Sequence, residues 1–148
     1  MTAVAELTIT RVFDAPRELV WQAWTDPVQI AQWWGPRGIS TPLDKIHMEL
    51  RPGGAANLVM VDDATGEEYP NTGTYVEVVE PERLVWRDDG FPDGTGAGVV
   101  TVTFVDLGGG KTQLTVRAVA HFTDEVRRDA EIGWGTMLDK LTEFVGAC

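Results

Sequence analysis

The sequence has one cysteine, Cys148, which is its last residue. A single cysteine cannot form an internal disulfide, and a thiolate metal cluster needs several. Chain ends are commonly disordered, so we expect Cys148 to be a frayed terminal thiol. The protein therefore lacks both the disulfide framework of a small secreted domain and the cysteine ligands of a zinc module.

Basic residues are also scarce. The chain has 12 Lys and Arg against 23 Asp and Glu, which gives a formal net charge of −11. Nucleic acids and anionic membranes are bound largely through Lys and Arg, so neither is expected as a partner. The sequence shows no basic leader and no apolar run approaching the roughly 18 residues that span a bilayer. We expect a cytoplasmic protein.

The remaining composition is that of an ordinary globular protein. Of the 148 residues, 43% are hydrophobic and 24% are charged, which argues against disorder and against a fibrous class. Internal repeats and low-complexity tracts are absent from the sequence. The length fits one domain with a buried core, and we predict a single domain over residues 1–148.

The first 34 residues predict a strand followed by two short helices. Apolar residues alternate with polar ones over residues 6–13, which is typical of a strand. Pro16 suits the first turn of a helix that we expect to reach Thr25. Asp26 and Pro27 repeat this start signal, a capping side chain followed by a proline, for a second helix ending near Trp34.

From Pro42 onward, short apolar runs separated by turn residues predict an antiparallel meander. The breaks are rich in glycine, proline and aspartate, for example Gly108 to Gly110, where Gly-Lys-Thr imitates part of a phosphate-binding loop but lacks its spacing. We predict strands at 43–50, 55–61, 67–79, 82–87, 98–107 and 111–121. Together with the first strand they make seven.

The last segment predicts one long helix over residues 124–145. Its apolar residues recur at steps of three and four, which places them in one stripe: Val126, Ala130, Trp134, Met137, Leu141 and Phe144. Thr123 can cap the helix start. The helix would be roughly 30 Å long and would cross a whole sheet, so the element order indicates an α+β fold.

Five sequence segments resemble a known family. They are ITRVFDAP at 9–16, WTDPVQIAQWWGP at 24–36, ELRPGG at 49–54, GTYVEVVEPERLVW at 73–86 and GWGTMLDKL at 133–141. These segments are similar to bacterial members of the SRPBCC superfamily, which includes START domains and the birch-pollen-allergen-like proteins. The branch they resemble is related to the C-terminal domain of the activator of the heat shock protein 90 ATPase.

This resemblance implies a helix-grip fold, in which a curved seven-stranded antiparallel sheet wraps around the long C-terminal helix and encloses a cavity. The superfamily has no invariant catalytic set, so the resemblance implies a cavity and no particular reaction. The eukaryotic activator also has an N-terminal domain that engages the chaperone. Nothing precedes Met1 here to supply that domain, so we do not expect the name of the branch to give the function.

Strand parity and the helical stripe predict which side chains face such a cavity. Small residues, Ala55, Ala56 and Gly73, leave volume on the sheet, while large apolar side chains provide walls. Tyr75 and Trp86 could face either side. The predicted ligand-binding residues are Trp34, Leu58, Met60, Tyr75, Trp86, Val102, Phe104, Trp134, Met137 and Leu141.

Candidates for catalysis are weak. Tyr75, His121 and Glu131 could move a proton, but neither His121 nor His47 lies at the spacing of a metal site or near a recognisable nucleophile. We therefore predict no metal site and no cofactor. The acidic loop at 88–96 could sit at the mouth of the cavity, with Phe91 as a lid residue.

Three functions remain open at this point. The first is non-enzymatic binding of a small hydrophobic molecule, aromatic or polyketide-like, in the cavity. The second is a cyclase- or hydrolase-type enzyme that uses the same cavity to orient its substrate. The third is an interaction module, either a chaperone partner in a stress response or a homodimer that uses exposed tryptophans such as Trp21.

Overall fold

A computed structural model describes residues 3–90 and 96–145. Its helices are α1 (Arg17–Thr25), α2 (Pro27–Trp33) and α3 (Asp124–Val145), with a short 3-10 helix at Leu43–Lys45. Its strands are β1 (Ala3–Phe13), β2 (Ile39–Ser40), β3 (Ile46–Met48), β4 (Ala56–Asp62), β5 (Glu68–Asn71), β6 (Gly73–Val79), β7 (Arg83–Asp88), β8 (Gly98–Gly108) and β9 (Lys111–Phe122). The predicted α+β class with a long C-terminal helix is confirmed.

A five-stranded antiparallel sheet has the order β1-β9-β8-β7-β6. In β9 every second residue is buried, from Thr112 to Ala120, and β8 buries Val100, Val102 and Phe104 in the same way. Alternation of this kind puts one face of the sheet on the core. The hairpin between β8 and β9 turns at three glycines that all have positive φ, as the sequence predicted for Gly108 to Gly110.

The remaining strands form a second sheet around β4, which pairs with β2, β3 and β5. The two sheets meet where Ala55 forms a β-bridge with Thr74 and where the N–H of Tyr75 donates to the carbonyl oxygen of Gly54 at 2.9 Å. Gly73 lies at this junction, where a Cβ atom would come within 2.4 Å of the carbonyl oxygen of Arg87. The close approach of the two strands therefore requires glycine at position 73.

Several predicted boundaries need correction. The described residues contain nine strands instead of seven, because the predicted run 67–79 divides into β5 and β6 and because β2 had no recognisable pattern of its own. The predicted strand 43–50 begins with a 3-10 helix and ends at Met48. Leu50, the last residue of that predicted strand, is 39% exposed.

The long helix packs across β1 and β9 and against α1 and α2. Thr123 Oγ1 accepts a hydrogen bond from the N–H of Val126 at 3.1 Å, which is the predicted cap. The predicted stripe is correct as far as Leu141. Phe144, however, is 40% exposed, and Leu138, outside the predicted stripe, is fully buried.

Candidate functional site

A cavity of about 420 Å³ lies between the sheets and the helices α2 and α3. One wall is a continuous stripe of α3: Val126, Asp129, Ala130, Gly133, Trp134 and Met137. Strands β4, β6, β7 and β8 supply the opposite wall, chiefly Ala56, Leu58, Met60, Tyr75, Leu84, Trp86 and Val100. Its volume falls within the usual range for small-molecule sites, about 300–1,000 Å³.

Four of the six tryptophans line this cavity and touch one another, and we call them the tryptophan cluster: Trp24, Trp34, Trp86 and Trp134. Trp24 stacks on Trp134 with ring centroids 6.3 Å apart and an angle of 17°. Trp34 meets the edge of Trp134 at 5.7 Å. Both Trp24 and Trp34 also contact Trp86, at 6.2 and 6.1 Å. Each of these pairs adds stabilisation beyond area burial.

Contacts from the loop after α2 hold Trp34 and Met137 in place. The N–H of Gly35 donates to Met137 Sδ at 3.0 Å, and Lys140 Nζ donates to the carbonyl oxygen of Gly35 at 2.9 Å. Thr41 Oγ1 donates to the carbonyl oxygen of Trp34 at 3.0 Å. The loop is therefore fixed to α3.

Polar side chains line a minority of the cavity. Asn57 Oδ1 accepts from the N–H of Gly73 at 3.1 Å, and Asn71 Nδ2 donates to the carbonyl oxygen of Tyr69 at 3.1 Å. Tyr75 is 4% exposed, and its hydroxyl makes no hydrogen bond with the described residues. Burial raises the pKa of Tyr75 far above its ordinary value, so its phenol stays neutral and is able to donate a hydrogen bond.

Asp88 is a carboxylate on the inner face at the end of β7. It pairs with Gly73 on one neighbouring strand and Gly98 on the other, so neither adjacent position has a side chain to cover it. Asp88 Oδ1 accepts from the N–H of Gly90 at 3.1 Å. Burial is the main cause that raises the pKa of the Asp88 carboxyl, and the neighbouring charge of Asp89 adds to it.

The structure places seven of the ten predicted ligand-binding residues on the cavity: Trp34, Leu58, Met60, Tyr75, Trp86, Trp134 and Met137. Their contact with a ligand stays a prediction. Val102, Phe104 and Leu141 do not line it, because each is 2% exposed or less and is packed within the core. Strand parity and the helical stripe identified their inward direction correctly, but neither could show that these side chains are completely enclosed in the core.

The catalytic candidates do not come together. Tyr75 lines the cavity, whereas His121 is exposed in a shallow depression with Arg87 and Val99. Glu131 is exposed on α3 and accepts from Arg127 Nη1 at 3.0 Å. The three candidates therefore lie in different parts of the molecule, and a proton-transfer role for any one of them stays a prediction.

Two other predictions concern the surface. Trp21 was expected to be exposed, but it is 2% exposed and packs edge-on against Phe104 at 5.4 Å. The interaction surface suggested for Trp21 is therefore wrong. Phe91, the predicted lid residue, and Cys148 lie outside the described residues.

Trp24 and Asp88 are among the residues of the site that the sequence reasoning missed. Trp24 is on the same helical face as the buried Val20 and Trp21 and could have been placed on the core side, but not on a cavity. Asp88 lies two residues after Trp86, so strand parity puts both on one face. An aspartate at the start of an acidic turn, however, favours solvent exposure, so the residue type alone does not indicate an inward-facing position.

Within residues 3–90 and 96–145, no helix is long and apolar enough to cross a membrane. The same residues contain no group of three His, Cys, Asp or Glu side chains arranged to hold a metal ion.

Comparisons with known proteins agree with this architecture. A protein from Chromobacterium violaceum superimposes with a TM-score of 0.84 at 27% identity, covering 95% of this chain and 96% of that chain. A protein from Nitrosomonas europaea gives 0.79 at 28% identity, covering 94% and 92%. An AHSA1-like protein from Aeromonas hydrophila gives 0.79 at 25% identity, covering 95% and 92%.

No curated protein matches the chain. The sequence model for "Activator of Hsp90 ATPase homolog 1-like protein" matches residues 14–146, which is nearly the whole sequence. The helix-grip architecture, the order of the motifs and this match agree, and the chain belongs to the activator of Hsp90 ATPase homolog 1-like family.

Proposed function

We propose that this protein binds a small hydrophobic molecule, aromatic in at least one part, in the cavity between the sheets and α3. The observation that carries the proposal is a 420 Å³ space walled by the tryptophan cluster. Indole rings offer broad faces and edges to another aromatic ring. A hydrophobic ligand bound against these rings would remove its apolar surface from water, which is favourable.

The size of the cavity argues against a simple packing defect. Protein interiors are close-packed, and voids larger than a few water molecules are uncommon and costly. Here the volume depends on small residues set among large ones, namely Ala56 on β4 and Ala130 and Gly133 on α3. Leucine at any of these positions would fill part of the space, so the sequence maintains the cavity through its choice of residues.

The apolar wall and the minority of polar side chains suit a ligand that is mainly hydrophobic. The neutral hydroxyl of Tyr75 is available as a donor to an acceptor on the ligand. A few placed polar groups are what orients ligands in such sites. The enzyme alternative receives no support from the proposed acid and base residues, because His121 and Glu131 lie outside the cavity.

The first prediction tests binding directly. Neutral aromatic compounds of two or three fused rings should bind saturably, because the cavity has room for them, and should change the tryptophan fluorescence. Replacing Ala130 by leucine should weaken binding by about tenfold or more, because the new side chain enters the cavity. Isothermal titration calorimetry measures the affinities without relying on fluorescence.

A matched control is Ala64→Leu, which makes the same substitution at an exposed turn. This variant should bind like the parent protein. Urea unfolding of both variants verifies that they are folded. Absence of saturable binding across the series, or equal affinity for the parent and the folded Ala130→Leu variant, would contradict the proposed function.

A further inference from the structure

The charged side chains that line the cavity are all of one sign, whereas Arg87 and His121 lie with Asp88 at the adjacent shallow depression. Among the described residues, the cavity lining includes the carboxylates Asp88 and Asp129 and no Lys, Arg or His. An anionic ligand would meet uncompensated negative charge, whereas a cationic ligand would be attracted.

Asp88 is the better placed of the two carboxylates. It lies on the same face of β7 as Trp86 and Leu84, which also line the cavity. The residues opposite it on both neighbouring strands are glycines, so no side chain from either position covers the carboxylate. No ion pair involves Asp88 within the described residues, although seven others form elsewhere. Asp88 Oδ1 accepts a hydrogen bond from the backbone N–H of Gly90.

Asp129 contributes from the opposite wall. It lies on α3 between Val126 and Gly133, at the spacing of three and four residues that puts all three on one side of the helix. Asp129 is exposed whereas Asp88 is half-buried. The carboxylate on the helix therefore stands nearer to solvent, and the one on the sheet lies deeper.

The aromatic wall favours the same kind of ligand. The face of an indole ring attracts a cation electrostatically, and tryptophan does so most strongly among the aromatic side chains. Trp86 is two residues from Asp88 on the same strand and face. A protonated amine near Asp88 would therefore have both a carboxylate and an indole within the same wall.

We propose that the ligand class is an aromatic amine carried in its cationic form, with its rings against the tryptophan cluster and its ammonium group at Asp88. This inference rests on the proposed function and adds a charge to the ligand. Asp129 adds attraction at the more exposed side. The ammonium group would donate hydrogen bonds to the carboxylate oxygens of Asp88, which are strong because both groups are ionised.

The test uses three ligands that share one ring system and differ in charge: naphthylmethylamine, naphthylmethanol and naphthoate. Calorimetric titration of the full-length protein near neutral pH should give the tightest binding for the amine. We expect the amine to exceed the alcohol by about tenfold or more and the carboxylate to bind weakest.

Asp88→Asn keeps the shape of the side chain and removes its charge, and the amine should then bind within about threefold of the alcohol. Asp44→Asn, at an exposed position outside the cavity, changes the net charge equally and should retain the preference of the parent. Binding of the alcohol measures whether the Asp88→Asn variant retains its cavity.

The outcomes separate the two proposals. Failure of all three ligands to bind would count against the proposed function, and the inference would fall with it. Binding of all three with equal affinity, or tightest binding of naphthoate, would overturn the preference for a cation and leave the proposed binding of hydrophobic ligands standing. A preference for the amine that persists in Asp88→Asn would overturn the role of Asp88.

Discussion

At the corner between α1 and α2, one indole N–H supplies the donor that a backbone carbonyl oxygen would otherwise lack. The carbonyl oxygen of Ala23 in α1 would ordinarily accept from the N–H four residues later, but that residue is Pro27, which has no N–H. Trp33 Nε1 donates to this carbonyl at 2.9 Å instead, and Trp33 is completely buried. The proline that begins α2 and the tryptophan that ends it therefore act as a pair.

The tryptophans Trp33 and Trp24 should respond differently to the same substitution. Trp33→Phe leaves the carbonyl oxygen of Ala23 buried without its donor, which costs about 1–3 kcal/mol besides the lost apolar area. Trp24 Nε1 is buried without a hydrogen-bond partner among the described residues, so Trp24→Phe incurs no comparable loss. Urea unfolding should show Trp33→Phe as the less stable variant, and equal stabilities would contradict the role of the hydrogen bond.

The carboxyl of Asp88 links stability to pH. Burial raises its pKa above the ordinary value of 3.8, so the folded protein binds this proton more tightly than the unfolded chain does. The ionised form therefore lowers the free energy of unfolding above the folded pKa, and this cost is relieved as the pH falls toward 3.8. Asp89 raises the pKa further, and the N–H of Gly90 opposes the shift.

Asp88→Asn should therefore be more stable than the parent protein near neutral pH. Its advantage should shrink as the pH is lowered through the raised pKa of Asp88, because the parent then becomes neutral at this site as well. The other ionisable groups near it, Arg87, Asp89, His121 and Asp129, are unchanged in the variant, so the comparison isolates position 88. A difference in unfolding free energy that does not vary with pH would contradict the argument.

At the scale of elements, α3 combines a strong capping signal with two glycines in its interior. Gly133 has an ordinary helical conformation, and a Cβ atom there would lie 3.7 Å from Pro36 Cγ, a normal van der Waals distance. Gly133→Ala should therefore raise the free energy of unfolding by about 0.5–1 kcal/mol through helix propensity. Its failure to stabilise would mean that the helix needs glycine there for another reason.

The sheet provides the opposite case. Gly73→Ala would place a Cβ atom 2.4 Å from the carbonyl oxygen of Arg87, at the junction of the two sheets. We expect a loss of roughly 1–3 kcal/mol, because the backbone would have to move to accommodate one methyl group. Urea unfolding of the two variants side by side should give changes of opposite sign.

Local signals predicted the elements that depend on local chemistry. The helix α3 followed from its apolar spacing and from Thr123, and the turn before Lys111 followed from three consecutive glycines. The division of 67–79 into β5 and β6 could not be predicted. The N–H of Gly73 donates a hydrogen bond to Asn57 Oδ1, and residues 74 and 75 pair with residues 53–55. These contacts depend on a part of the chain that is distant in sequence.

The sequence predicts which side chains point inward, but not which of them border the cavity. Trp86 and Phe104 both lie on inward-facing strand positions, yet Trp86 borders the cavity whereas Phe104 is enclosed by Trp21 and Trp24. Their difference comes from where α1 crosses the sheet, and strand parity contains no information about that crossing. Empty volume is a property of the assembled elements rather than of any one of them.

For the whole molecule, charge is the dominant long-range property. The seven ion pairs within residues 3–90 and 96–145 all join side chains that are at least 32% exposed, so each adds little stability. The 23 acidic residues outnumber the 12 basic ones, and the resulting negative charge produces a long-range electrostatic field. Such a field attracts cations and repels anions before any contact forms.

The salt dependence of the affinity should therefore distinguish the contribution of the ligand's charge from that of its shape. Raising sodium chloride from about 0.05 to about 0.5 M shortens the screening length several-fold and should weaken binding of naphthylmethylamine, because both the net charge of −11 and the carboxylate of Asp88 attract it. Naphthylmethanol has no charge to screen, so its affinity should stay level or rise slightly. Calorimetric titrations of both ligands across this range measure the difference, and parallel salt dependences would contradict an electrostatic origin of the preference.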